Sequence, residues 1–196
     1  MPHGETPRGI VPVTRVLQTS GVRFVLVAML AMSACWTSGT STTTTTAPPR
    51  RPAPTVALLD NATDIDGAVV GPAQTRATVA IVFASWCGHC RNEMRELAVL
   101  RADLPDVRFL GVNYKQHEEY DGRGDSQAVR TMVAELAPWL RVVPADEALW
   151  TSLGAPPKVP TIYVFDRNGL LAKTYDRRFD ALPTFDELER VIDALP

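Results

Sequence analysis

The sequence predicts an α/β domain in which a central mixed β-sheet is flanked by helices and preceded by an N-terminal extension. Three observations carry this. Residues 78–84 (TVAIVFA) and 107–112 (VRFLGV) are apolar, β-branched runs suited to strands buried on both faces. A helical pattern between them makes a strand–helix–strand unit, which points to a parallel crossover. Residues 161–166 and 170–175 alternate on either side of Arg167-Asn168-Gly169, an antiparallel hairpin whose Asn-Gly tolerates positive φ.

The elements follow in order. Residues 56–74 form the N-terminal extension, and 78–84 the first strand. The helix after it places Met94, Leu97, Ala98 and Leu104 on one side, with Arg91, Arg95 and Glu96 towards solvent. After the strand at 107–112, residues 114–125 are polar and glycine-bearing and read as a long loop. A helix from Ser126 to about Ala137 is stopped by Pro138. Val142 and Val143 form a short strand candidate, and residues 147–153 a short helix closed by Gly154. Thr184-x-x-Glu187 is a capping box that opens a final helix reaching about Ala194. With the short candidates set aside, the major elements run β-α-β-α-β-β-α.

The chain of 196 residues is longer than this domain, and its charge is uneven. Residues 1–34 carry Arg8, Arg15 and Arg23 against Glu5 alone. Residues 56–196 carry 15 Lys and Arg against 21 Asp and Glu, a net of −6. A domain of that sign repels polyphosphate, which argues against nucleic-acid binding.

Residues 24–34 (FVLVAMLAMSA) are an apolar run of 11, shorter than the roughly 17–25 that span a bilayer as a helix. Arg23 precedes the run and Cys35 follows it, the layout of a secretory signal peptide over residues 1–34. Met32-Ser33-Ala34-Cys35 resembles the lipobox of bacterial lipoproteins, which implies cleavage before Cys35 and lipidation of its thiol. The alternative is an uncleaved signal anchor with a chance cysteine. From Cys35 to residue 55 the chain is rich in Thr and Pro, with no apolar face, and reads as a disordered tether. Twenty such residues reach at most about 60 Å at about 3.1 Å each.

The chemistry-bearing segment is Trp86-Cys87-Gly88-His89-Cys90, placed where the first strand ends and the first long helix begins. Cysteines at i and i+3 can close a disulfide with little backbone movement. A first cysteine at a helix N-terminus is favoured as a thiolate, and positive charge on His89 favours it further. That gives an attacking sulfur and a second one placed to resolve a mixed disulfide. A structural zinc site needs four ligands, and the domain offers two cysteines with His89 and His117, so no metal is expected. A purely structural disulfide would close too short a loop to stabilise much.

Phe83-Ala84-Ser85-Trp86-Cys87-Gly88-His89-Cys90 together with Val159-Pro160-Thr161 resembles the two signatures of the thioredoxin-like fold, a three-layer architecture. The match is closer to the TlpA/ResA-like branch, membrane-tethered thiol–disulfide oxidoreductases of the bacterial envelope. Gly111-Val112-Asn113-Tyr114-Lys115 also resembles that branch, particularly its cytochrome c maturation members. The resemblance implies Cys87 as nucleophile, Cys90 as resolving thiol, and Pro160 as a cis-proline facing the disulfide. It leaves the backbone of Val159 to an extended substrate peptide, with Trp86 and Thr161 beside it. It also makes Glu93, three residues past Cys90, a buried carboxylate that tunes the thiols or relays a proton; periodicity alone reads Glu93 as a solvated helix residue. Thioredoxin's aspartate six residues before the first cysteine is here Ile81, which strengthens Glu93 as the acid/base.

The expectation is therefore a lipid-anchored, periplasm-facing, monomeric reductant of protein disulfides, apocytochrome c among its candidate substrates. It needs no cofactor beyond the redox-active Cys87–Cys90 pair. Because the envelope is oxidising, a membrane thiol reductant must supply electrons. Gly-His between the cysteines is typical of protein disulfide isomerases and keeps an oxidase or isomerase reading open. A non-catalytic peptide-binding module is a third reading. A thiol peroxidase is disfavoured, since residues 83–86 offer neither the threonine nor the proline of a peroxide-binding loop.

Overall fold

A computed structural model describes residues 53–177 and 181–196. The proposed signal peptide, Cys35 and residues 36–52 of the tether lie outside them. After a short helix α1 (Ala57–Asp60), the chain forms β1 (Ala77–Phe83), α2 (Gly88–Asp103) and β2 (Val107–Tyr114). Next come a single helical turn α3 (Lys115–Glu118), a 3-10 turn (Tyr120–Gly122) and α4 (Ser126–Leu136). The chain ends with β3 (Arg141–Ala145), α5 (Glu147–Ser152), β4 (Thr161–Asp166), β5 (Leu171–Asp176) and α6 (Phe185–Asp193).

The sheet has the order β3-β2-β1-β4-β5, with β1, β2 and β3 parallel and β4 and β5 antiparallel to their neighbours. The mixed sheet inferred from one crossover and one hairpin is thus present. Every residue of β1 is buried, because it is central and covered on both faces. On one face Val79, Ile81 and Phe83 pack with Met94, Leu97 and Leu100 of α2, Met132 of α4 and Ile192 of α6. On the other, Ala80 and Val82 pack with Leu59, Leu110, Val112, Trp150 and Phe165.

Local signals account for the ends of the helices. Asp125, Asp146 and Thr184 each accept a hydrogen bond from the backbone N–H three residues on, at 2.7, 2.8 and 3.2 Å. At the β4–β5 turn Gly169 has φ +75°, and a Cβ there would meet Val56 Cγ1 at 2.5 Å.

Two segments are more ordered than their composition suggests. Residues 114–125, read as a loop, contain the two helical turns, and Tyr114 still belongs to β2. The strand expected at Val142 and Val143 extends over five residues, and Pro144 is accommodated because β3 is an edge strand. The N-terminal extension covers that edge. Ile65 N–H donates to Val142 O at 2.8 Å, and Arg141 Nε donates to Asp64 at 2.9 Å. Further along, Arg108 of β2 pairs with Asp60 at 2.8 Å. Val56 N–H donates to Gly169 O at 2.9 Å and Thr55 bridges Leu170, so the chain enters the domain beside the β4–β5 turn.

Candidate active site

The site is built where β1 delivers the chain to α2. Cys87 is the N-cap of α2, with extended backbone (φ −83°, ψ 106°), and its sulfur accepts the Cys90 N–H at 3.1 Å. A sulfur holding a helix N-terminal donor is stabilised as a thiolate, both by that bond and by the helix dipole. Cys87 and Cys90 are joined as a disulfide with Cα atoms 5.2 Å apart. Cys87 is 6% exposed and Cys90 is fully buried, so Cys87 is the nearer of the two to the surface. His89 is exposed between them.

Opposite the disulfide, the Val159–Pro160 peptide is cis and Pro160 is buried. The Val159 carbonyl oxygen lies 3.7 Å from the Cys87 sulfur. Thr161, fully buried, donates its hydroxyl to Lys158 O at 2.9 Å and closes this turn on itself. Trp86 is half-buried, and its indole N–H donates to the carbonyls of His117 and Glu118, each at 3.0 Å. Trp86, Cys87, Cys90, Val159, Pro160 and Thr161 therefore occupy one locus, drawn from the β1–α2 junction and the start of β4.

Glu93 is buried on α2, as the resemblance implies and against the bare periodicity. It lines a narrow crevice with Pro183, Thr184 and Phe185 at the start of α6. Burial, and secondarily the nearby Glu96 carboxylate, push its pKa from 4.5 up to about 7. An acid of that pKa can hold or release a proton near neutrality.

One residue of the site was not anticipated. Glu118, 2% exposed, sends its carboxylate beneath the Cys87 loop. It accepts Ser85 N–H at 2.8 Å and the Asn113 side-chain amide at 2.8 Å, and it also accepts the Ser85 hydroxyl. Asn113 in turn donates to Phe83 O at 3.1 Å. The carboxylate ties the end of β2 to the residues just before Trp86 and Cys87. Gly124 leaves room for it, since a Cβ there would fall on the Glu118 carboxylate and the Ser85 hydroxyl. A buried asparagine at the end of an apolar strand was the available signal, because such a group demands partners.

Beside Val159 lies an open cleft of about 510 Å³, bordered also by Trp86, Tyr120, Arg123, Lys158 and Arg177. The Arg123 guanidinium sits 5.1 Å over the Trp86 ring and 5.5 Å over Tyr120. His117 borders the cleft too, and burial lowers its pKa, so the imidazole is neutral near pH 7. It packs edge-on to Tyr114 and Trp150, which stack at 4.3 Å.

No protein-family model and no curated protein matches the chain. Solved structures do match. A secreted Mycobacterium tuberculosis disulfide oxidoreductase homologous to E. coli DsbE aligns at 23% identity, covering 70% of this chain and 97% of that one, with a TM-score of 0.56. A thiol:disulfide interchange protein of the thioredoxin family from Chlorobium tepidum aligns at 18% identity over 76% and 99%, with a TM-score of 0.58. A thioredoxin-like protein from Aeropyrum pernix aligns at 17% identity over 71% and 91%, with a TM-score of 0.59. Together with the mixed sheet and its flanking helices, these likenesses establish the architecture: the chain has the thioredoxin-like fold.

Proposed function

We propose that the protein is a thiol–disulfide oxidoreductase of the bacterial cell envelope, reducing disulfides in other proteins through Cys87 and Cys90. The observation that carries this is the pairing of a Cys87 sulfur at a helix N-terminus with a fully buried Cys90, next to the Val159 backbone. The Cys87 thiolate attacks one sulfur of the substrate disulfide, forming a mixed disulfide and releasing the other substrate sulfur as a thiolate. The Cys90 thiolate then attacks Cys87, and the second substrate sulfur leaves. Two electrons pass to the substrate, whose released thiolates take up the protons, and the Cys87–Cys90 pair is left oxidised. Glu93 is the group assigned to accept the Cys90 proton.

Secreted and interchange-type proteins among the structural neighbours support an envelope setting. The reading includes a signal peptide over 1–34, a lipid anchor at Cys35 and a tether to residue 55. Electrons come from a membrane thiol reductant, and apocytochrome c stands as a candidate substrate from the motif resemblance. Replacing Cys87 with Ala should abolish reduction of a protein disulfide, and replacing Cys90 with Ala should trap the mixed disulfide on Cys87. Full activity in the Cys87→Ala protein would sink the proposal.

The exposed His89 between the cysteines favours a second reading, an oxidase or isomerase, because a group that stabilises the thiolate stabilises the reduced pair. The reduction potential separates the two. A value near or below about −270 mV marks a reductant, and one near or above about −180 mV an oxidase or isomerase.

A further inference from the structure

The cleft beside Val159 has a charge that the rest of the domain does not. Residues 56–196 carry a net of −6, yet Arg123, Lys158 and Arg177 converge on this one cleft, and among the described residues no carboxylate borders it. Among the described residues none of the three forms an ion pair. The neighbouring loop is rich in acidic residues, but most are engaged elsewhere. Glu118 is turned inward onto Ser85 and Asn113, Glu119 faces Lys115 at 3.6 Å, and Asp125 caps α4. The same loop sends Arg123 and Tyr120 to the cleft, and the two rings flanking the guanidinium fix its position.

We infer that this cleft binds the substrate segment flanking the cysteine that Cys87 attacks, and selects segments carrying aspartate or glutamate beside an apolar residue. The inference rests on the thiol–disulfide reading and specifies its substrate class. An extended peptide lying along Val159 sets the side chains next to its cysteine into the cleft, since Val159 both borders the cleft and touches the Cys87 sulfur. Carboxylates there meet three cations, while apolar groups meet the faces of Trp86 and Tyr120. At physiological salt the domain's overall negative field is screened beyond about 8 Å, so the charges within the cleft decide selection.

The test uses the full-length protein and three fluorescent peptides of equal length, with Asp-Asp, Asn-Asn or Lys-Lys next to a central residue flanked by leucine. With serine at the centre, anisotropy reads binding. With a disulfide-capped cysteine at the centre, the rate of cap release reads reaction. The Asp peptide should exceed the Lys peptide by about tenfold in either measurement, the size expected from one or two exposed ion pairs gained in one and like-charge contacts imposed in the other. The Arg123→Gln, Lys158→Gln, Arg177→Gln protein should bring that ratio to about one, and Arg123→Lys with Arg177→Lys should preserve it. Using a ratio cancels any general change in folding or thiol reactivity.

Equal values for the three peptides, a reversed order, or a preference that survives the triple substitution would overturn the inference. Where binding is too weak for anisotropy, the rate ratio decides by the same criteria. Failure of the oxidoreductase reading looks different: no cap is released from any peptide, nor is bis(2-hydroxyethyl) disulfide reduced, while anisotropy still ranks the peptides.

Discussion

Replacing Glu93 with Gln tests the electrostatics of the site directly. Burial lifts the Glu93 pKa from 4.5 to about 7, so between those values the folded protein holds a proton that the unfolded chain releases. A group whose folded pKa is raised in this way favours the fold at low pH. Its contribution is complete below 4.5, declines as pH rises, and is gone above about 7. At 1.36 kcal/mol per pKa unit, the full cost of ionising Glu93 in place is about 3 kcal/mol. Gln has nearly the same shape and no charge. The Glu93→Gln protein should therefore gain about 3 kcal/mol relative to wild type between pH 4.5 and pH 8.5. The assay is urea denaturation at both pH values with the disulfide intact, so that the cysteines do not titrate. Taking the difference of differences removes every other ionising group and any packing change. A shift under about 0.5 kcal/mol would mean that the carboxylate is solvated, and the proton-relay role would fall with it.

Other substitutions probe the surroundings. Glu118→Gln puts an amide donor against the donors of Ser85 and Asn113, and should cost about 2 kcal/mol in denaturation while changing the fluorescence of Trp86, whose indole is held by the same turn. Gly124→Ala should reproduce that loss by displacing the same carboxylate; an unchanged midpoint would refute the account of Gly124. Asp64→Asn should cost about 2 kcal/mol at pH 7, less than for a fully buried pair because the Arg141 side chain is 41% exposed. Its hydrogen bonds to Arg141 and to the Ala68 N–H lower the Asp64 pKa, so this stabilisation is present above 3.8 and fades as pH falls below it. Thr184→Ala should lower stability by about 1 kcal/mol through loss of the α6 cap, measurable in the same denaturation series.

What was legible in the sequence is what local pattern encodes. The buried strands β1 and β2, the α2 register and the hairpin follow from apolar runs and turn residues. The cysteines are legible because their spacing and their place at a strand–helix junction agree. Glu118 was not, because its partners Ser85 and Asn113 sit on other elements and a carboxylate within HEEYDGRGD reads as solvated. Glu93 was legible only through family resemblance, for its burial depends on α6, which arrives some ninety residues later in the chain. The extent of β3 was obscured by Arg141 and Pro144, whose tolerance depends on an edge position that the tertiary fold supplies.

The entry of the chain beside the β4–β5 turn has a consequence for orientation. In the β1–β4 register Ala77 lies opposite Asp166 and Val82 opposite Thr161. Val56, bonded to Gly169, thus marks one end of the strands, and Cys87 the other. Seven residues of β1 separate the ends by about 20 Å. A domain held through the residues before Thr55 would present its reactive sulfur on the side away from the point of attachment. A partner that needs the reactive sulfur must therefore approach from the end of the sheet opposite Val56 and Gly169.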